Sequence, residues 1–474
     1  MVNANTGKYD PRHMIGMTDQ DVFRWPSLSH GIQRQLLGWM VTILEIPGIP
    51  IFLFGEEQAY YVLENLADDY VFGRNPMSSS RAWQMHGCYK LGETVYTDLP
   101  FDSARHGCED DTVSLDHRDP SHPVRNVLKR MLELRQQYPV LNDGFNLTTL
   151  STKIYNIYLK GSGGLPSPHG IWSVHRGRTG VQDFTGEARG NQGVWFVYHN
   201  ENHSVHYNFD CESPNASLAL ISAFPAGKTV KNLFYPYEEY VLEASTIKYG
   251  IEDSNDFNGC LPQLEMPPWG WKVLVPIENW KVPSPTITRF LPGHDTRLHS
   301  TVSYDEQESI PIQIRFSSAM SCDSVTKAIT LESTTTQGQT ARLNASSIVC
   351  FIADADLPQH VGEIATAWIF SARLDNVYNG VHRISVNNAS TEDRLLFTGA
   401  VDRFIFRIGQ TDNPVVFASA NYTKGIFHRE PSTGMLTVAH RAAGADKWRY
   451  SLNWGSTCKM IFLFLNTLQS GLSQ

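Results

Sequence analysis

The sequence predicts a multi-domain chain of the α/β plus all-β class. A parallel α/β segment over 1–145 precedes antiparallel β-sandwich domains over 146–283 and 284–410, and 411–474 begins a further β-rich unit with an aberrant tail. Three observations carry this reading. The strong helical periodicities fall before about residue 145. From 146 onward, short β-rich runs alternate with turn residues, as in antiparallel sheets. A Pro-rich joint, Val282-Pro-Ser-Pro285, then divides one β-rich stretch from the next. A chain of 474 residues holds about three domains of ordinary size.

The elements follow in order. Ser27 to Glu45 sets Ile32, Leu36, Leu37, Met40, Val41, Ile43 and Leu44 at three-to-four spacing, which predicts a helix with one apolar face. Pro47 and Gly48 stop it. Ile49 to Phe54 is a continuous apolar run, the pattern of a strand buried on both faces. Some 65 residues of loop follow, long enough to be an insertion. A second helix is predicted from about Ser121 to Tyr138, capped by Ser121, with Pro123 in its first turn and Val124, Val127, Leu128, Met131 and Leu132 as its buried stripe. Helix, buried strand, helix is the order of a parallel α/β fold. Strands are then predicted around Trp172, 194–198, 205–209, 218–221, 230–235 and 271–275. The third domain has strands at 310–316, 367–372, 380–386 and 403–408 and reads as a sandwich of the immunoglobulin type. The last unit opens with 414–417 and 436–438, and the aperiodic stretch 459–474 reads as an aberrant tail.

The net charge of −9 and the pI near 6.0 argue against nucleic acid as a partner. No apolar run reaches the roughly 18 residues that cross a bilayer. The first ten residues are polar and carry no signal-peptide pattern. The seven cysteines include no CxxC pair, which argues against a zinc knuckle. Pairing neighbours in order gives Cys88–Cys108, Cys211–Cys260 and Cys322–Cys350, one staple per domain, which suits an oxidising compartment. Sequons at Asn146, Asn202, Asn215, Asn344, Asn388 and Asn421 point the same way. Secretion without a secretion signal predicts a native N-terminus upstream of Met1.

Three runs resemble the alpha-amylase family in order and spacing: Thr18-Asp-Gln-Asp-Val-Phe-Arg-Trp-Pro26, Pro47-Gly-Ile-Pro-Ile-Phe-Leu-Phe-Gly-Glu-Glu-Gln58, and Pro123 to Leu141 with its Leu-Arg and Pro-x-Leu ending. They resemble the seventh-strand signature, the eighth strand and the last helix of a (β/α)8 barrel. Leu264 to Pro276 resembles the close of the β-domain after such a barrel. The wording of Phe72 to Met77, His106 to Asp111, Ser114 to Arg125, Val230 to Tyr237, His440 to Asp446 and Asn453 to Thr457 is closer still to fungal cell wall α-1,3-glucan synthases. The resemblance covers about residues 8–457 and implies a partial amylase-type barrel followed by β-sandwich domains. It implies a part in wall α-glucan biosynthesis at the extracellular face of the plasma membrane. UDP-glucose would be the donor for the full-length protein, and no cofactor or metal is implied for this segment. The partners implied are α-glucan and the remaining domains of the synthase.

Retaining glycoside chemistry needs two carboxyl groups about 5 Å apart. In the amylase family these stand on the fourth and fifth strands, whose sequences have no counterpart here. The resemblance leaves a third catalytic carboxylate, Asp21, flanked by Gln20, where most relatives have His, and by Arg24. Glu56 and Glu57 close the eighth strand and either line a sugar subsite or cap the turn. A full barrel takes about 250 residues, so the expectation is a chain without activity of its own. The acidic run Glu109-Asp-Asp111 with Asp116 reads as a solvated loop rather than a calcium site, and Gly161 to Gly164 as a flexible loop. Trp269 and Trp271 either stack on sugar or belong to the core, the commoner fate of Trp at a strand start. The rival readings are a secreted amylase-like hydrolase and a non-catalytic α-glucan-binding scaffold.

Overall fold

The computed structural model describes residues 14–16, 33–58, 118–177, 193–251, 254–298, 300, 302, 306–335, 337–353 and 364–409, and the backbone of short strands between 415 and 472. In the first segment β1 (Met14–Gly16) lies parallel to β2 (Ile49–Ile51), with helix α1 (Gln33–Glu45) between them in the chain. Parallel strands joined through a helix form the crossover unit of an α/β fold. Helix α1 buries Leu37, Met40, Val41, Ile43 and Leu44, as its periodicity predicts. Strand β2 is a correction: it is three residues long, and Ile49 and Ile51 are exposed, as is Phe54 beyond it. A parallel strand is buried on both faces only where a sheet and helices cover it, and among the described residues β1 is its one strand neighbour.

Helix α2 (Pro123–Gln137) starts one residue later than Ser121 capping would place it. His122 is the cap and accepts the Val124 N–H through Nδ1 at 3.3 Å. Ser121 is held by Asp119, to which its N–H and its hydroxyl both donate. The buried stripe is Val124, Val127, Met131 and Leu134, while Leu132 is exposed. After the short α3 (Val140–Asp143), helical structure gives way to strands.

The β-domain is built on a six-stranded sheet. Its strands are β3 (Asn146–Ile157), β4 (Ser167–Gly177), β5 (Val194–His199), β13 (Trp271–Pro276), β8 (Thr229–Asn232) and β9 (Glu239–Val241), in that spatial order. Strands β6 (Val205–Asn208) and β12 (Gln263–Met266) pair with each other, and β7 (Leu220–Ile221), β11 (Ser254–Leu261) and β10 (Glu243–Ile251) form a third sheet. Strand β5 is buried along its whole length because both faces of the sheet are covered. Phe196 and Tyr198 face α1 and α2, together with Trp271 and Val273. The alternate residues Trp195 and Val197 face the smaller sheets, with Tyr207, Phe209 and Leu264. Trp271 is therefore core, 2% exposed, whereas Trp269 is half-buried. Gly161 to Gly164 form the tip of the β3–β4 hairpin, a loop flanked by a strand on each side.

The next unit packs two four-stranded sheets on one core. The first is β14 (Ile287–Leu291), β16 (Glu308–Phe316), β19 (Trp368–Val377) and β18 (Arg342–Ile352). The second is β15 (Thr296–Leu298), β21 (Asp402–Ile408), β20 (Gly380–Val386) and β17 (Ile329–Thr335), with the short α4 (Cys322–Ala328) leading into β17. Phe290 and Phe404 stack across the core at 4.3 Å between ring centres. Helix α2 touches this unit as well: Asn126 Nδ2 donates to the Ile287 carbonyl (3.0 Å) and Lys129 pairs with Asp402 (3.1 Å).

Among the described residues, seven further strands follow: β22 (Val415–Phe417), β23 (Tyr422–Thr423), β24 (Ile426–Phe427), β25 (Leu436–Ala442), β26 (Lys447–Tyr450), β27 (Lys459–Phe462) and β28 (Gln469–Leu472). The stretch read as an aperiodic tail supplies β27 and β28, which pair antiparallel with β26 and β25. Lys459-Met-Ile-Phe462 and Gln469-Ser-Gly-Leu472 carry no apolar–polar alternation, so neither gives a strand signal in sequence. Cys211–Cys260 and Cys322–Cys350 are disulfide-bonded as their order predicts; Cys88 and Cys108 lie outside the described residues.

Candidate functional site at the turn after β2 and its support

Gln20, Asp21 and Arg24 follow β1 in the chain and lie outside the described residues. So does the acidic run 109–111 with Asp116. The other two predicted site residues stand in a tight turn beyond the C-terminal end of β2. Glu56 is 2% exposed, and its Oε2 accepts the Leu53 N–H at 3.0 Å. The Glu57 Oε2 accepts the Gly55 N–H at 2.8 Å. Gln58 then donates through Nε2 to the Asp119 carbonyl (2.9 Å), fastening the turn to the approach to α2. Both carboxylates thus accept backbone N–H groups of the turn through Oε2. Among the described residues, no group of three or more His, Cys, Asp or Glu has the arrangement of a metal site.

A buried polar cluster joins α1 to the β-domain, which sequence reasoning did not find. Arg176, on β4, is fully buried. Its Nε donates to the Gly144 carbonyl at 2.9 Å and its Nη1 to the Leu44 carbonyl at 2.5 Å. The Leu44 carbonyl belongs to the last turn of α1, where helix carbonyls have no partner within the helix. Glu45 sits beside it, and burial pushes its carboxyl up to about 7 against the opposing pull of Tyr198 and Arg176. The only sequence signal is a polar pair, His175-Arg176, ending a strand whose other residues are mostly apolar or small.

This cluster predicts a pH signature. The folded Glu45 pKa of about 7 lies above its ordinary value of 4.5. The folded state therefore binds more protons than the unfolded chain in that window. The associated stability is present below pH 4.5 and is lost as pH rises through about 7. His122, His175 and His199, all pushed down to about 4 chiefly by burial, act in the opposite sense. The difference between wild type and Glu45→Gln isolates the carboxyl. Relative to wild type, the variant is expected to gain about 3 kcal/mol between pH 4.5 and 8. Urea midpoints across that range check it, and parallel curves would sink the assignment.

The comparisons bear on the β-domains first. Residues 145–280 match the family model described as Mok13-like, GH beta-sandwich domain. Residues 282–411 match Mok13, Ig-like beta-sandwich domain, and 412–461 match Mok13, second Ig-like beta-sandwich domain. The class is that of a modular chain in which a parallel α/β segment leads into a glycoside-hydrolase β-sandwich and then Ig-like sandwiches. Cell wall alpha-1,3-glucan synthase mok12 of Schizosaccharomyces pombe is 39% identical over 472 residues, 96% of this chain and 20% of its own length. Cell wall alpha-1,3-glucan synthase ags1 of the same organism is 35% identical over 463 residues, 96% of this chain and 18% of its own length. The chain belongs to the family of cell wall alpha-1,3-glucan synthases and spans about a fifth of the length of these relatives. Among solved structures, the gamma-CGTase of Alkalophilic bacillus clarkii gives a TM-score of 0.30 at 9% identity, over 87% of this chain and 42% of that one.

Proposed function

We propose that this chain is the end of the amylase-like unit and the adjoining β-domains of a synthase that builds cell wall α-1,3-glucan. The single observation behind this reading is 39% identity to a cell wall alpha-1,3-glucan synthase over 96% of the chain. In the whole protein a separate synthase domain elongates glucan from UDP-glucose. The amylase-like unit joins or trims the chains by glycosyl transfer. Asp21, flanked by Gln20 and Arg24, holds the sugar hydroxyls at the transition state, and Glu56 and Glu57 shape the rim beside it. The working partners are α-glucan and the other domains of the synthase, at the extracellular face of the plasma membrane. The disulfides Cys211–Cys260 and Cys322–Cys350 support that compartment, as do the exposed sequon residues Asn202, Asn215 and Asn388.

Two measurements test the reading. The isolated chain is expected to release no reducing sugar from soluble α-glucan, since the two carboxyl groups of retaining chemistry belong to strands elsewhere in the synthase. Hydrolysis by the chain alone would overturn that. In the full-length synthase, Asp21→Asn is expected to lower glycosyl transfer between α-glucan chains by about a hundredfold or more, while incorporation from UDP-glucose continues. Transfer at the wild-type rate would remove Asp21 from the mechanism.

A further inference from the structure

The six-stranded sheet has a second face, opposite the one the helices cover. Tyr155 on β3 stands opposite His169 on β4, and Lys153 opposite Ile171. Ile171 stands opposite His199 on β5. Directly opposed residues and their i±2 neighbours share a sheet face. Tyr155, His169, Ile171 and His199 therefore lie on one face, the one that packs Ile171 against Tyr207 and Phe209. Helices α1 and α2 cover the other face. Toward the β3–β4 hairpin this row emerges from the core, and Tyr155 is 53% exposed.

Glu201 closes the emerging end. It is 7% exposed, and its Oε1 accepts the Tyr155 hydroxyl at 2.7 Å. Its Oε2 lies 3.8 Å from His169 Nδ1. That separation is too long for a direct hydrogen bond, and a hydroxyl about 2.8 Å from each atom would bridge them from the side, as donor to Oε2 and acceptor from Nδ1. The rings of Tyr155 and His169 are 6.1 Å apart.

A third element converges here. The turn Pro267-Pro-Trp-Gly270 is closed by the Gly270 N–H donating to the Pro267 carbonyl (2.8 Å), and the Trp269 N–H donates to the Glu201 carbonyl (2.8 Å). Trp269 is held at φ 45°, in the left-handed region. A bulky side chain in that region is an outlier, and such strain concentrates at ligand sites. Glycine would relieve it, yet the position holds a half-buried Trp.

We propose that Tyr155, His169, Glu201 and Trp269 form a glucosyl-binding site on the β-domain, on the opposite side of the sheet from the barrel helices. A pyranose presents a face of polarised C–H groups that suits the negative face of an aromatic ring, and an equatorial rim of hydroxyls that suits a carboxylate–imidazole pair. The site holds a segment of α-glucan away from the barrel rim. The choice of α-glucan over another polysaccharide rests on the function proposed above.

Affinity electrophoresis of the whole chain through gels containing carboxymethylated α-1,3-glucan tests the site. Wild type is expected to be retarded. Tyr155→Ala and Trp269→Gly are each expected to weaken retardation by about tenfold. Tyr237→Ala, an exposed tyrosine elsewhere on the domain, is expected to match wild type. Trp269→Gly also separates binding from folding, because glycine accepts φ 45° and the variant is expected to melt no lower than wild type. Variants retarded as strongly as wild type would overturn the site and leave the α-glucan reading standing. A wild-type chain that migrates freely would overturn both.

Discussion

Arg176→Ala is expected to destabilise the chain by about 3–5 kcal/mol, the cost of breaking a buried charged network from one side. The side chain is fully buried and holds two carbonyls from separate segments, Leu44 at the end of α1 and Gly144 after α3. Truncation leaves both carbonyls without that donor in a region with little access to water. It also removes the positive charge that holds down the Glu45 pKa, so the carboxyl moves further above 7. Helix α1 should loosen first, because Leu44 lies in its last turn and its apolar face rests on the β-domain. The measurements are the urea midpoint and amide exchange along 38–45. A loss under about 1 kcal/mol would mean that water replaces the guanidinium and that apolar packing alone seats the helix. Arg176→Lys keeps the charge without the planar fork and should fall between the two.

Much of the architecture was legible because it rests on period and punctuation. The α1 stripe, the unbroken Val194–Tyr198 run and the Pro-rich joint at 282–285 each encode burial or its absence directly in residue type. The β-domain itself was legible in its strongest strands. Strand β3 was not, because Asn146–Ile157 alternates Thr, Ser, Lys and Asn with apolar residues along a sheet edge and buries few of them. The cap of α2 was misplaced by one residue, because Ser121 has the right chemistry but is held by Asp119. The buried polar links were illegible for a different reason. Arg176 meets Leu44 across 132 positions and Tyr155 meets Glu201 across 46, and no local pattern signals such meetings. The Trp pair shows the limit most sharply. Trp271 and Trp269 are two residues apart with the same side chain, yet one is core and the other sits strained in a turn. Trp271 opens β13 and packs in the core, whereas Trp269 is set by its backbone angle and its bond to the Glu201 carbonyl.

Replacing both partners of one disulfide, Cys211→Ala with Cys260→Ala, is expected to cost about 4 kcal/mol from loop closure alone, given a separation of 49 residues. The bridge matters beyond that term. Cys260 is fully buried on β11, where it pairs with Ile221 of β7, a strand only two residues long. Cys211 follows β6 and packs with Ala219 and Ile221 in a small cluster of its own. Leu220 of β7 and Leu261 of β11 join the main core of the β-domain, but on the outer side of the third sheet so few apolar side chains supply little burial energy, and there the cross-link takes a larger share. The second bridge, Cys322–Cys350, closes a loop of 28 residues beside a much larger core. The logarithmic length dependence makes its loop-closure term smaller by only about 0.5 kcal/mol. The difference in consequence therefore lies in the cores. Loss of Cys211–Cys260 should unseat β7, β10 and β11, whereas loss of Cys322–Cys350 should lower the stability of the Ig-like sandwich and leave its strand pairing intact. Graded reduction adds an order: Cys322 and Cys350 are half-buried, so they should be alkylated before the buried pair. Mass mapping of alkylated peptides reads that order, and amide exchange of β11 in the double variant reads the unseating. Protection of β11 unchanged from wild type would show that packing, rather than the cross-link, holds the third sheet in place.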